Sequence, residues 1–261
     1  MKKLIQAIIG NEQFFIRTVL FLAFVGHGLV SLHVSDGYKL HYNIFAAVNI
    51  FNLDVSQTLI VFGIFDILIA LSFLLNFQLK YLAPLAIIYL LAVGISGGLF
   101  YMKQNNQLFG LAELFRRIPW IFCALFLWII IVKKNKHHYI LRIGIAFAFI
   151  AHGFASLGFL GLSGGHIELA SKILTEEAAK KFVYYSGILD SILGLMLISG
   201  FLSQLAAIIG AIWLAFVVVL SLQVGLPEGI FRSGFFLTCF FVALDKRCHF
   251  WRSEKITDNN C

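Results

Sequence analysis

The sequence has few charged residues, which argues against a soluble globular protein. Only 13% of its 261 residues are charged, against about a quarter in a typical soluble domain. Hydrophobic residues make up 60% of the chain, and the mean hydropathy is +0.91. They form repeated runs of roughly 17 to 25 residues, the length that spans a hydrocarbon core about 30 Å thick. We therefore predict an integral membrane protein in a lipid bilayer.

The sequence also lacks paired cysteines and closely spaced metal ligands. Its four cysteines form no CxxC pair, which argues against dithiol redox chemistry; they are Cys123, Cys239, Cys248 and Cys261. No pair of residues has the HxxxH or ExxH spacing of helical metal sites, so no metal site is predicted. Axial ligation of a haem by histidines of the first and fifth helices is a less favoured alternative.

The positive charge of the chain falls at alternate ends of its hydrophobic segments. The net charge is +7, and most basic residues lie near the two termini, at Lys80 and in the linker 133–142. This bias is the one that the positive-inside rule describes. It indicates topology, so we expect no nucleic-acid partner. It predicts a multi-pass protein of the cytoplasmic membrane with both termini in the cytoplasm.

The hydrophobic runs predict eight membrane-spanning helices. The segments 34–56 and 162–180 are predicted as long connections on the outer side, and 166–181 as an interfacial helix. The predicted spans are about 13–33, 57–76, 81–101, 117–133, 139–161, 181–200, 203–224 and 227–245.

An internal repeat organises these helices. Three segments of the first half align with the second: 16–32 with 141–157, 63–71 with 187–195, and 111–117 with 226–232. Because each unit has four helices, both units keep the same orientation in the membrane. The predicted fold is an all-α membrane protein made of two tandem parallel four-helix bundle repeats, residues 1–135 and 136–261.

The repeat aligns ionisable residues inside the outer half of the membrane. An intramembrane carboxylate must be protonated or paired, and a His–Asp pair suits a proton relay or a hydrogen bond to a quinone carbonyl. Structural hydrogen bonds, helix-start acids and simple Arg–Glu pairs are the alternatives. The candidate residues for substrate binding or proton relay are His27, Ser31, Asp66, Glu113, Arg117, His152, Ser156, Asp190, Glu228 and Arg232.

The segment 187–219 resembles the DoxX/DoxD-like membrane family. It has the family's glycine, an acid three residues later, an apolar run closed by a glycine, and then an alanine-rich helix. The segment 63–93 is similar, although Asn76 stands where the second half has Gly200. Members of the family are single four-helix units, so the chain resembles two fused copies. The resemblance implies association with respiratory or thiol-redox systems, including quinone-linked oxidation.

These observations favour a quinone-linked redox subunit or an accessory component of one. Because no side chain here carries electrons unaided, this hypothesis needs a bound cofactor or a redox partner subunit. The sequence does not identify this cofactor; a quinone is the candidate, and haem is disfavoured. The alternatives are a small-solute or proton-coupled transporter and a non-catalytic membrane assembly scaffold. The sequence assigns no enzymatic reaction.

Overall fold

The computed structural model of the chain describes residues 10–48, 53–103, 113–133, 135–159, 164–249 and 254–255. These residues are almost entirely helical, with one short 3₁₀ helix and two strands of two residues each. The elements are α1 (Glu12–Ser31), α2 (Tyr38–Val48), α3 (Val55–Leu74), α4 (Leu79–Lys103), α5 (Ile118–Lys133), β1 (Asn135–Lys136), α6 (Tyr139–Leu157), α7 (Gly164–Ala170), α8 (Glu176–Ser199), α9 (Ser203–Ser221), α10 (Leu226–Leu244), the 3₁₀ helix Lys246–His249 and β2 (Glu254–Lys255).

Eight of these helices are long and apolar enough to cross a membrane. The eight predicted spans are thereby confirmed, and the span that contains α5 begins at Glu113. The chain is a multi-pass, all-α membrane protein. The spanning helices are α1, α3, α4, α5, α6, α8, α9 and α10.

The predicted connections are more structured than the sequence suggests. Helix α2 lies inside the predicted loop 34–56. The prediction of one interfacial helix over residues 166–181 is wrong. Helix α7 ends at Ala170, and α8 begins at Glu176. Two exposed i, i+4 ion pairs lie at the start of α8, with 2.6 Å between Glu176 and Lys180 and 2.9 Å between Glu177 and Lys181.

The first and last spanning helices meet in the centre of the bundle. Helix α1 packs against α3 and α10, α5 packs against α6, and α6 packs against α8. Helices α4 and α5 contact each other, as do α9 and α10. The core is therefore continuous across the middle of the chain, and the division into residues 1–135 and 136–261 stays a prediction.

Two pairs of glycines bring the first and second spanning helices of each half together. A Cβ on Gly28 would lie 2.9 Å from both the Asp66 Cβ and the Gly63 carbonyl oxygen. A Cβ on Gly187 would lie 2.9 Å from the Ser156 Cβ and 3.1 Å from the Gly153 carbonyl oxygen. Only glycine allows backbones to approach this closely. The contact places the side chains next to these glycines within reach of the facing helix.

The end of the bundle that carries the linker, here called the linker end, holds a buried ionic network. Glu12 at the start of α1 is paired with Lys136, with His138 at 2.9 Å and with Arg247 at 3.1 Å. Arg247 also lies 2.8 Å from Asp245 at the end of α10. Strands β1 and β2 pair beside them. The linker, the start of α1 and the end of α10 therefore lie together at the linker end. The opposite end of the bundle, where α2 and α7 are found, is here called the site end.

The departure of Asn76 from the glycine pattern is explained by backbone geometry. Asn76 has φ +60° and Gly200 has φ +83°, so both follow their helix in the left-handed conformation. Asparagine is among the few residues that tolerate it. Beside Asn76, the Arg17 guanidinium donates two hydrogen bonds of 2.9 Å to the last carbonyls of α3, those of Phe73 and Leu74.

Candidate functional site

His27 and Asp66 form a short hydrogen bond between α1 and α3. His27 Nδ1 lies 2.7 Å from Asp66 Oδ2, and the Asp66 side chain is fully buried. The Gly28–Gly63 contact makes this reach possible. Tyr89 of α4 also interacts with Asp66. The carboxylate fixes the imidazole ring and leaves its Nε2 for another partner.

A second histidine lies over the first. Nδ1 of His41 in α2 is hydrogen-bonded to Ser31 Oγ at 3.0 Å. The ring centroid of His41 is 4.6 Å from that of His27. Burial, then the charges of His27 and Arg117, hold the pKa of His41 well below its usual range. His41 is therefore a neutral imidazole at neutral pH.

The second half repeats the Ser–His contact but pairs its histidines differently. Ser156 Oγ lies 2.8 Å from His166 Nδ1, and His166 Nε2 lies 3.3 Å from His152 Nδ1. Burial and the positive charges of two nearby arginines lower the pKa of His166 to about 3. The expected His152–Asp190 pair is not formed among the described contacts; Asp190 instead interacts with Trp213 of α9.

The predicted glutamates and arginines lie at the site end, near the starts of α5 and α10. Glu113 pairs with Arg116 and lies 3.9 Å from Arg117. Arg117 also stacks over Phe231, 5.7 Å from its ring centroid. Because Phe231 belongs to α10, this contact joins the two halves.

The second glutamate also joins the halves. Ser35, in the turn after α1, donates a 2.7 Å hydrogen bond to Glu228 Oε1. Arg232 donates to the Glu228 backbone carbonyl at 3.4 Å. Each half thus places one Arg–Glu group beside the other half.

A single cavity of about 670 Å³ collects these groups at the site end. Ser31 and Asp66 lie behind its wall, where they bond to His41 and His27. The exposed residues Asp36, Lys172 and Gln223 lie at its rim. The other predicted residues line the cavity: His27, Glu113, Arg117, His152, Ser156, Asp190, Glu228 and Arg232. The structure therefore brings side chains of both halves to one space.

The residues that sequence reasoning missed follow the same repeat. His41 and His166 each lie ten residues after the serine that they contact, so the alignment of 16–32 with 141–157 continues to them at the same offset. Tyr89 and Trp213 share the offset of Asp66 and Asp190. Extending the alignment past its ungapped segments would have found both pairs. Arg116, which also lines the cavity, carries no such signal.

A second cluster of potential metal-ligand atoms lies at the linker end, away from the cavity. Side-chain atoms of Glu12, His138 and Asp245 lie within 4.8 Å of one another, an arrangement that a metal ion could use. Lys136 and Arg247 already pair with these carboxylates. The cluster is thus a network of ion pairs whose charges are compensated by side chains.

Residues 146–232 match the model of the DoxX-like family. This third of the chain is similar to the DoxX-like family. The match begins in α6 and ends in α10, so five of the predicted site residues lie inside it. These are His152, Ser156, Asp190, Glu228 and Arg232. Comparisons with curated proteins and with solved structures gave no match.

Proposed function

We propose that this DoxX-like protein is a quinone-linked redox subunit of the cytoplasmic membrane, or an accessory component of one. The observation that carries the proposal is that His27 and His152 line the same cavity at the site end. The cavity volume of about 670 Å³ falls in the range of roughly 300 to 1,000 Å³ that is usual for small-molecule sites.

The side chains around the cavity suit the head group of a quinone. With Nδ1–H donated to Asp66, neutral His27 offers Nε2 as an acceptor for a quinol hydroxyl. Protonated His27 offers an Nε2–H donor to a quinone carbonyl instead. Phe149 and Phe235 provide apolar cavity surface for the ring. The same pocket is therefore able to bind both redox forms.

A partner must supply or accept the electrons. Cys123, Cys239 and Cys248 are free and buried, and Cys261 lies outside the described residues. No side chain that lines the cavity is able to take up both electrons of a quinol. We therefore propose a redox partner subunit or a bound cofactor that approaches the protein at the site end.

We also propose that the chain consists of two four-helix units in tandem. The contacts of the helices support this, because α1 meets α3 as α6 meets α8, and α4 meets α5 as α9 meets α10. The two junctions between the units are also alike, since α10 packs on α1 and α5 packs on α6. The cavity then lies between equivalent surfaces of the two units.

Quinone content tests the function directly. The full chain is purified with its native lipid, and bound quinone is extracted and quantified. We expect near-stoichiometric quinone in the wild type and at least about a tenfold lower content in the His27→Ala plus His152→Ala variant. His137→Ala, at the linker end, is the matched control and should retain quinone. Equal content in wild type and double variant, or none in either, contradicts the proposal.

A small-solute or proton-coupled transporter is the second candidate. It is favoured by the charged rim of the cavity, where Asp36 and Lys172 are exposed, and by the Arg–Glu pairs inside it. Reconstituted vesicles should then take up solute, and Asp66→Asn or Asp190→Asn should abolish the uptake. Uptake without any bound quinone would favour this candidate over the redox role.

A further inference from the structure

Asp66 and Asp190 occupy equivalent positions on the second spanning helix of each half, but their surroundings differ. Asp66 lies behind the cavity wall, whereas Asp190 is part of it. The comparison of these two carboxyl groups indicates that the halves have taken different tasks.

The carboxyl group of Asp66 bonds to a histidine and does not line the cavity. Its relative exposure is 0%. Its Oδ2 is 2.7 Å from His27 Nδ1, and Tyr89 interacts with it from α4. Its Oδ1, like that of Asp190, has no hydrogen-bond partner among the described residues, but Asp66 is not one of the residues that line the cavity. An acid held in this way orients its histidine and has no direct path to a ligand in the cavity.

The carboxyl group of Asp190 forms part of the cavity wall and bonds to no histidine among the described residues. It is 6% exposed, and among the described residues its Oδ1 has no hydrogen-bond partner. The histidine that would match His27, His152, bonds to His166 instead. Trp213 is the neighbour of Asp190 on the α9 side. A buried polar atom without a partner at a cavity wall is suited to bind a ligand.

We propose that Asp190 exchanges a proton with the ligand of the cavity, and that Asp66 is a positioning residue for His27. The inference rests on the proposed function, in which the ligand is a quinone or quinol. When a quinol hydroxyl is deprotonated, its O–H bond breaks and its oxygen keeps the electron pair. The proton forms a new O–H bond at Asp190 Oδ1, and the carboxylate becomes a carboxylic acid.

The other titratable groups near Asp190 come from the helices that pack on α8. Helix α6 supplies His152, α7 supplies His166 and Glu168, and α9 supplies Trp213, which does not titrate. Because the pKa of His166 is lowered to about 3, its imidazole stays neutral near pH 7. Arg116 and Arg232 contribute fixed positive charge to the same cavity.

Infrared difference spectroscopy separates the two carboxyl groups. Decylubiquinol is added to the full chain in lipid nanodiscs, in H₂O and in D₂O, and the C=O stretch of protonated carboxyl groups is recorded. We expect a deuterium-sensitive carboxyl band in the wild type that is lost in Asp190→Asn and retained in Asp66→Asn. Both substitutions keep the side-chain shape, and gel filtration with circular dichroism checks their fold.

The positioning role of Asp66 has its own signature. Asp66→Asn should change the imidazole bands of His27 and weaken decylubiquinol binding by about tenfold, the effect of losing one charge-assisted hydrogen bond. Asp66→Glu should restore part of the affinity. A carboxyl band that persists in Asp190→Asn and disappears in Asp66→Asn would overturn the assignment.

A titration without quinone separates failure of this inference from failure of the proposed function. A deuterium-sensitive carboxyl band that titrates in the wild type and is absent in Asp190→Asn supports the proton-exchange role even if no quinone binds. The quinone hypothesis alone would then fall. If every titrating carboxyl band of the wild type is still present in Asp190→Asn, the proton-exchange role is wrong, whether or not quinone binds.

Discussion

The imidazole of His41 lies over that of His27, with 4.6 Å between the ring centroids. The two rings come from different helices, because His27 is on α1 and His41 is on α2. The short helix after the first span is therefore tied to the cavity by a buried, neutral histidine. The short helix α7 is tied to it in the same way by His166.

Because His41 and His166 are buried and neutral, we expect the folded protein to lose stability in mild acid. Their pKa values are lowered in the folded protein, to about 3 for His166, whereas an unfolded histidine titrates near about 6.5. Since the unfolded chain binds more protons, this contribution to stability is complete above about pH 6.5 and is lost as the pH falls below it. We expect Tm to drop from pH 7 to pH 5, and to drop less in the His41→Gln plus His166→Gln variant. Equal drops in both proteins contradict the prediction.

A methyl group at Gly28 should disturb the His27–Asp66 pair. The added Cβ would lie 2.9 Å from the Asp66 Cβ, which forces α1 and α3 apart. We expect Gly28→Ala to lower the free energy of unfolding by about 1–3 kcal/mol and to reduce quinone content. At the matched control position, Gly97, the nearest atom to an added Cβ is 3.5 Å away. Gly97→Ala should leave both quantities unchanged, and similar losses in the two variants would refute the packing argument.

Removing the charge of Glu12 should destabilise the whole bundle. Glu12 is 5% exposed, and its carboxylate compensates Lys136 and Arg247. Loss of one member of a buried ionic network costs about 3 kcal/mol or more, so Glu12→Gln should lower Tm clearly. Glu176→Gln, which breaks an exposed pair with Lys180, is the control and should have no measurable effect. Thermal unfolding followed by intrinsic fluorescence measures both, and an unchanged Tm in Glu12→Gln would contradict the prediction.

The topology is testable with reporter fusions. The linker, the start of α1 and the segment after α10 lie together at the linker end, and basic residues are concentrated there. We expect reporters at the C-terminus and after His138 to report the cytoplasm, and one in the turn 33–36 to report the outer side. Reporters at the C-terminus and the linker on opposite sides of the membrane would contradict the arrangement.

The sequence was sufficient to predict the spanning helices and eight of the side chains that line the cavity. Apolar length alone located eight spans, and the internal alignment selected His27, Asp190 and their partners in the other half. Both signals are local or periodic, so they survive without knowledge of the packing. His41 was missed because α2, with 11 residues, is too short to span a membrane, so its segment was predicted as a loop.

The differences between the halves were beyond the sequence. His27 pairs with Asp66, whereas His152 pairs with His166, although the aligned residues are of the same kinds. Which partner an imidazole takes depends on the distance between helices and on side-chain rotation. The helix distances and side-chain rotations are set by contacts across the whole bundle, so they do not follow from the pattern of residues along the sequence.

The shared cavity also constrains how a shorter relative would be built. Its wall includes His27 from α1 and His152 from α6, so neither of the two proposed four-helix units supplies the whole lining. A protein with a single unit would have to associate with a second copy around a twofold axis to enclose the same volume. If the chain consists of two such units, as proposed, each is free to mutate separately, which a homodimer does not permit.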